Sequence, residues 1–482
     1  MLEAIEPRTD FLHRYLLTTT SFQPLYGKLS DIYGRKACLL FAYSVFGLGC
    51  LFCGISRNMN DLIAARAFAG IGGGGMTTVA SILMSDIVSL RTRGTWQGGL
   101  NIIFSLGSAV GGPLGGWLAD TVGWRWAFIG QAPLTLMAFL TVTFGLHLPQ
   151  APITEVIMGQ EVPSVKTKLL RVDFPGAFTL VLAVFSFLLS LDLSINSIGF
   201  PISSPITLSI LWASVLLFVS FYHIEKSYSA EPFCPPDLVK RREILSPCVA
   251  NFFCFASAMA VIFHVPLFYQ AVLGSSAAVA GQRLLPMIFG GMLGSLGGGI
   301  YIQKTGKYYW LTFWAYLGLF LGVGVIYTCV LLTGTGHSEL LIVISMNVGM
   351  VIFNIGVGIG VTSTLIALIS NVTSAEQAVV TAVSYLFRSL GSVLGLSLAA
   401  GLVQTVLRRR LLEMLGDHDR ALDIVWRVRR DLDSIGELEP NEVAIVRRCY
   451  QDGITDAMFF AMVLGFLCWV SSWGIREVKV KK

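Results

Sequence analysis

Long apolar runs separated by short polar interruptions set the pattern of this chain. Twelve runs, at 37–56, 62–84, 98–119, 127–146, 176–191, 206–224, 248–273, 284–303, 308–332, 340–369, 378–407 and 457–475, meet or approach the length of about 20 residues that lets a helix cross a bilayer core. They are continuous and lack the alternation of a lipid-facing β-barrel strand, so they predict helices. A thirteenth segment, 11–27, is a stub that holds His13 and Arg14 and is free of charge only from Tyr15 to Tyr26. The opening MLEAIEPRTD is polar, without the basic start and apolar centre of a signal peptide.

Composition sharpens this picture. Hydrophobic residues make up 54% of the 482 and charged residues 13%, roughly half the usual charged share of a soluble protein. Such a chain has too little polar surface to cover itself, which argues against a soluble enzyme and for an all-α polytopic membrane protein. A net charge of +5 is too small to point to nucleic acid. Cys50 and Cys53 have CxxC spacing, but they sit in an uncharged apolar run with no second ligand pair and read as packing residues. No His cluster, HExxH or nucleophile motif indicates an enzyme.

The basic residues set the topology. Lys28, Arg35 and Lys36; Arg91 and Arg93; Lys166, Lys168 and Arg171; Lys226, Lys240, Arg241 and Arg242; Lys304 and Lys307; and Arg476, Lys479, Lys481 and Lys482 all fall on one set of alternate loops and the tail. The short loops on the other side hold only Arg57, Arg125 and Arg283. The first set is therefore expected to be cytoplasmic. The long segment 408–455 is nearly charge-neutral, and surface amphipathic helices on the non-cytoplasmic side are expected there. The chain divides into 1–146, a central 147–246 with two spans, and 247–482. With the tail cytoplasmic, thirteen crossings put the amino terminus on the far side. One more helix before Phe11 would bring both ends inside, so a missing first helix is expected.

Several segments carry candidate chemistry. The stretch Gly27-Lys28-Leu29-Ser30-Asp31-Ile32-Tyr33-Gly34-Arg35-Lys36 brackets a tight turn with two glycines, an acid and a basic pair. An ordinary cytoplasmic loop could share those features. Arg66 lies four residues into an apolar span, where a charge is costly unless it snorkels, pairs or faces water. The run with Gly107, Gly111, Gly112, Pro113, Gly115 and Gly116 is built for close helix contact and a bend. Arg388 is a second charge within a span. Asn101, Gln131, Gln270, Asn347, Asn354 and Tyr385 are polar candidates for a central cavity, although helix–helix hydrogen bonding is the commoner use of such residues. His264 is a candidate proton carrier. Trp124-Arg125-Trp126 reads as an interfacial anchor.

The 27–36 stretch resembles the signature of the major facilitator superfamily, G-x-L-x-D-x-x-G-R-K, at every fixed position. There the resemblance implies a latch joining the cytoplasmic ends of two halves, with Gly27, Asp31, Gly34, Arg35 and Lys36 taking part. The block from Leu62 to Gly75 resembles the family's second motif, which ties Arg66 to proton coupling, with Ala69 in place of the frequent Gln. The helix holding Gly107, Gly111, Pro113, Gly115 and Gly116 resembles the antiporter signature, with its proline shifted by one place. Thr305-Gly306-Lys307 faintly echoes the latch, as an internal duplication would leave. Two central spans between two larger groups resemble the fourteen-helix drug:proton antiporter branch. The wording around Arg93–Gly98, Gly115–Asp120 and Ala382–Gly391 is similar to fungal vacuolar basic amino acid transporters.

The resemblance implies two six-helix halves plus two central helices, thirteen spans seen and the first absent. It further implies proton-coupled antiport of basic amino acids into the vacuole, with a small-molecule substrate, protons and the lipid bilayer as partners, no cofactor beyond the proton gradient, and a monomer. The alternatives are efflux of drugs or a secondary metabolite at the plasma membrane, and a truncated, non-transporting remnant. The fourteen-helix branch carries an acid in helix 1, and this chain has none there. Asp192, near the end of its run, is the remaining acid well within a span, so carboxylates for a cationic substrate are scarce.

Overall fold

The computed structural model describes residues 7–89, 91–147, 173–196, 204–228, 235–336, 338–373, 376–415 and 432–478, together with 420, 423–425 and 427–428. The described residues form helices α1 (Pro7–Tyr33), α2 (Arg35–Ile55), α3 (Met59–Ile87), α4 (Arg93–Thr121), α5 (Trp124–Ile129), α6 (Gln131–Gly145), α7 (Phe174–Asn196) and α8 (Pro205–Ser227). They continue with α9 (Arg242–Leu267), α10 (Leu285–Thr305), α11 (Tyr309–Leu332), α12 (Glu339–Ser370), α13 (Gln377–Leu415) and α14 (Pro440–Ser472). A short π-helical segment, Phe268–Val272, extends α9. With α5 and α6 taken as one crossing, every predicted run finds its helix. Ten helical segments among the described residues are long and apolar enough to span a membrane. Large apolar side chains point outward on many of them, such as Phe104, Leu134, Phe178 and Trp212. That arrangement suits lipid as the surrounding solvent.

Two groups of helices pack within themselves. In the first, α3 receives α1 and α2, and α2 also contacts α6; in the second, α12 receives α10 and α11, and α9 packs on α13 and α14. The groups meet along two seams, α1 with α13 and α4 with α10. The pair α7 and α8 packs against itself, and α7 also touches α1 and α13. Leu17, Leu180, Val184, Leu188, Leu386 and Val393 form the apolar cluster at that junction. The end of the molecule carrying Lys28, Arg35, Arg91, Lys304, Lys307 and Arg476 is called the basic end below.

Three expectations change. The stub is a full helix of 27 residues, since Asp31 and Lys28 sit beyond its apolar part and are no obstacle to helical backbone. The 27–36 stretch is consequently not a loop. Gly34 alone breaks the helix, at φ 93°, a left-handed conformation in which a side chain would be strained. Third, the 408–455 segment is not a set of surface helices throughout. α13 runs on to Leu415 and α14 begins at Pro440, and Leu411, Ile424, Val428, Ile435 and Val446 carry the second group's apolar core into this region. Cys50 and Cys53 are buried and unbridged, as packing residues would be.

Candidate functional site

The turn around Gly34 builds a charge network at the basic end. Arg35 donates from Nε to Asp86 Oδ2 at 2.8 Å, and from one terminal nitrogen to Asp31 Oδ1 at 2.5 Å and Ser30 Oγ at 2.8 Å. Lys36 Nζ donates to the carbonyls of Thr143 and Leu146 at 2.7 and 2.9 Å. It thereby satisfies acceptors at the end of α6 that have no partner within the helix. These contacts tie α1, α2, α3 and α6 together inside the first group. Among the described residues, the contacts of Asp31, Arg35 and Lys36 brace the first group. The contact across the seam comes from Gly27, where a Cβ would stand 2.5 Å from Ala382 Cβ.

Arg35→Ala is expected to lower transport on the order of tenfold, as loss of a charge-assisted hydrogen bond would. Arg35→Lys should recover part of it, because an ammonium lacks the planar fork that reaches three acceptors. Uptake at matched protein levels is the measurement, and wild-type activity in Arg35→Ala would refute the bracing role.

The second group closes differently at the same end. The Thr305-Gly306-Lys307 turn, with Gly306 at φ 69°, links α10 to α11. Glu477 of the tail accepts from the backbone N–H of Tyr308 at 3.1 Å, and Arg476 pairs with Glu243 at 3.0 Å. Glu376 accepts from the Thr373 backbone and hydroxyl, at 3.0 and 2.8 Å. Those hydrogen bonds, aided by Arg241 at 3.6 Å, hold its carboxyl below the ordinary glutamate value. A cavity of about 770 Å³ opens here between Arg241, Ser370, Glu376 and Arg476.

Deeper in the molecule, both seams carry polar side chains at similar depth. At α1/α13, Ser389 Oγ donates to Gln23 Oε1 at 2.5 Å, and Gln23 Nε2 donates to Thr77 Oγ1 at 3.4 Å. At α4/α10, Asn101 Nδ2 donates to Ser295 Oγ at 2.7 Å, and Ser295 in turn lies 2.8 Å from Thr362 Oγ1. Thr95 reaches Gln303 at 2.6 Å nearer the basic end. With a rise of about 1.5 Å per residue, Gln23, Asn101 and Ser295 lie about 12–15 Å from the basic ends of their helices. This is near the middle of a core about 30 Å thick. A third group, Asn251, Thr364 and Ser384, is linked at 3.0–3.1 Å within the second half.

The two span arginines sit against aromatic rings. Arg66 lies 4.5 Å from the Tyr15 ring centroid and 5.4 Å from Phe128, toward the end opposite the basic one. Arg388 lies 4.4 Å from Phe255 and 4.8 Å from Tyr385, near mid-depth. The structure therefore brings Asn101, Tyr385 and Arg388 to the middle zone. Gln131 instead donates to Ala127 O and accepts from Cys50, inside the first group. Gln270 donates to Pro266 O, and Asn354 to Met287 O. Asn354 and Gln131 thus join neighbouring helices, whereas the bond of Gln270 stays within its own segment. Asn347 Oδ1 is buried without a hydrogen-bond partner. His264 Nδ1 sits 2.8 Å from Ala260 O of its own helix, buried.

The antiporter glycines also depart from expectation. Among the described residues, a Cβ on Gly107, Gly111 or Gly115 would meet no atom within 4 Å, so these glycines make no close contact with a described helix. The intimate approach lies earlier on the same helix. A Cβ on Gly98 would come 2.9 Å from Leu296 Cα, and one on Gly299 would come 2.3 Å from Gly94 O. Pro113, Gly116 and Asp192 fall on helices, but their side-chain surroundings lie outside what is described. Sequence reasoning missed Gln23, a polar residue in an apolar run and hence visible by the rule that selected Asn101. It also missed Asp86, whose pairing with Arg35 depends on helix packing.

A sequence profile described as Major Facilitator Superfamily matches residues 12–396. The chain belongs to that superfamily. Among superfamily relatives, the multidrug resistance protein fnx1 of Schizosaccharomyces pombe is 36% identical, across 96% of this chain and 84% of its own length. The vacuolar membrane amino acid uptake transporter fnx2 of the same yeast is 39% identical, across 96% and 77%. The vacuolar basic amino acid transporter 2 of Saccharomyces cerevisiae is 31% identical, across 94% of each. Among solved superfamily structures, the proton:xylose symporter XylE superposes with a TM-score of 0.57 at 12% identity, covering 98% of this chain and 87% of that one. The human organic anion transporter MFSD10 gives 0.55 at 14%, covering 95% and 83%. At such identities the likeness speaks for the fold. The chain is thus an all-α, multi-pass membrane transporter of the superfamily.

Proposed function

We propose that the chain moves amino acids, basic ones foremost, into the vacuole in exchange for protons. The observation that carries this reading is the polar layer at mid-depth on both seams, Gln23–Ser389 and Asn101–Ser295. Midplane sites between two rocking halves are how such transporters hold substrate. With the basic end cytoplasmic, the close crossing of Gly94 and Gly299 lies on the cytoplasmic side of this layer. The substrate class comes from relatives named as vacuolar amino acid transporters. The proton gradient supplies the energy, Arg66 is the coupling candidate, and the monomer in its bilayer is the working unit.

A second reading, efflux of a lipophilic drug or secondary metabolite at the plasma membrane, is favoured by other relatives. These are fnx1 and the efflux pump dotC of Dothistroma septosporum, the latter 29% identical across 82% of this chain and 65% of its own length. Vacuolar vesicles bearing the chain are expected to accumulate labelled arginine, lysine and histidine, and to lose this uptake when a protonophore collapses the gradient. Gradient-dependent movement of lipophilic drugs without amino acids would select the second reading. Uptake indifferent to the gradient would overturn both.

A further inference from the structure

Arg388 lies on α13, eleven residues beyond Gln377, and therefore about 16 Å from the basic end of that helix. A guanidinium at this depth is costly without a counter-charge. Among the described residues it has no carboxylate within ion-pair distance and donates no hydrogen bond. It lies over the rings of Phe255 and Tyr385, with the Tyr316 hydroxyl within electrostatic reach. Cation–π contact holds the cation in place, and among the described residues none accepts a hydrogen bond from its N–H donors. The position is also where the halves touch, because the adjacent Ser389 bonds to Gln23 of the first half. A planar fork, fixed by two rings and lacking its anion, is matched to a carboxylate.

We propose that Arg388 receives the carboxylate of the transported molecule in a bidentate pair. Resting on the amino acid reading above, that group is the α-carboxylate. This gives the chain a way to select amino acids even when their side chains are cationic: the carboxylate is the recognised handle, and the side chain is accommodated elsewhere. Amines and esters with the same side chain lack the handle. A bound carboxylate would also sit next to the Gln23–Ser389 contact, which has to open when the halves rock.

The test uses the full chain in detergent and reads its thermal midpoint, Tm, against matched ligand pairs: arginine with arginine methyl ester and agmatine, and leucine with leucine methyl ester. Free carboxylates are expected to raise Tm, and their partners to need about tenfold or higher concentration for the same shift, the scale of a charge-assisted pair. Arg388→Gln should abolish the difference within each pair. Arg388→Lys should keep a smaller one, with the charge retained and the fork lost. If esters stabilise the wild-type protein as well as free acids do, the proposal is overturned, whatever the variants show. If leucine outperforms its ester while arginine and lysine do not bind, the basic-substrate reading fails and the role of Arg388 stands.

Discussion

Gly299→Val is expected to abolish transport while leaving a folded protein in the membrane. α4 and α10 cross so closely near the basic end that a Cβ at Gly299 would lie 2.3 Å from Gly94 O, 2.5 Å from its carbonyl carbon and 2.8 Å from Thr95 N. All three are backbone atoms and have no rotamer by which to retreat. Valine adds two more methyl groups, and overpacking of this kind costs about 1–3 kcal/mol or more. The seam is an interface between halves, so the molecule has a cheaper escape than unfolding: the halves part at the basic end and fail to close. Uptake should fall more than about tenfold, since about 1.4 kcal/mol against the closed state already shifts its population by that factor. A cysteine placed at Thr95 should become more reactive toward a membrane-impermeant maleimide applied from the basic side. Gly94→Ala, whose new methyl would lie 3.3 Å from Gly299 Cα, should cost far less. Normal uptake by Gly299→Val would show that this crossing does not govern closure.

Gly395→Val should have the larger effect on folding itself. Within the second half, α9 and α13 approach until a Cβ at Gly395 would stand 2.0 Å from Ala256 O and 2.4 Å from Ala256 Cα. Here no interface can open, because both helices belong to one packed group with α14. The clash must be absorbed by separating α9 from α13, which would strip contacts from the core around Cys254, Ala258 and Ala399. A cost of about 3 kcal/mol or more is expected. It would be seen as loss of the monodisperse peak when the detergent-extracted protein is run by size exclusion. Gly107→Val on α4 provides the contrast: with no described atom within 4 Å of its Cβ, it should give a wild-type profile. Equal profiles for the two variants would contradict the packing described here.

Much of the architecture was legible in the order of residues, and the reason is the solvent. In lipid each crossing needs a long apolar run, so the runs at 37–56 or 308–332 mark α2 and α11 within a few positions. Boundaries failed where charge and helix were treated as opposites. Asp31 ends the apolar run but not α1, and the Arg408–Arg410 cluster does not stop α13. The candidate site was harder to read. Spacing showed that the glycines of α4 could support a close crossing, but which of them faces a neighbour is a property of the partner helix. The crossing uses Gly94 and Gly98 and passes over Gly107 and Gly111. Arg388 and Tyr385 were visible as unusual residues in an apolar setting. Their alliance with Phe255, more than a hundred residues earlier, arises only when α9 and α13 pack.

The last helix pair outreaches the lipid. At 39 and 33 residues, α13 and α14 are about 58 and 50 Å long, against a hydrocarbon core of about 30 Å. Their surplus turns stand clear of the bilayer on the side away from the basic end, braced by pairs such as Arg410–Asp452 at 3.4 Å. A rod anchored in one half acts as a pointer: a small tilt of that half becomes a larger sweep at the rod's head. Fluorophores on that head and on the α2–α3 turn would report the working cycle from outside the membrane.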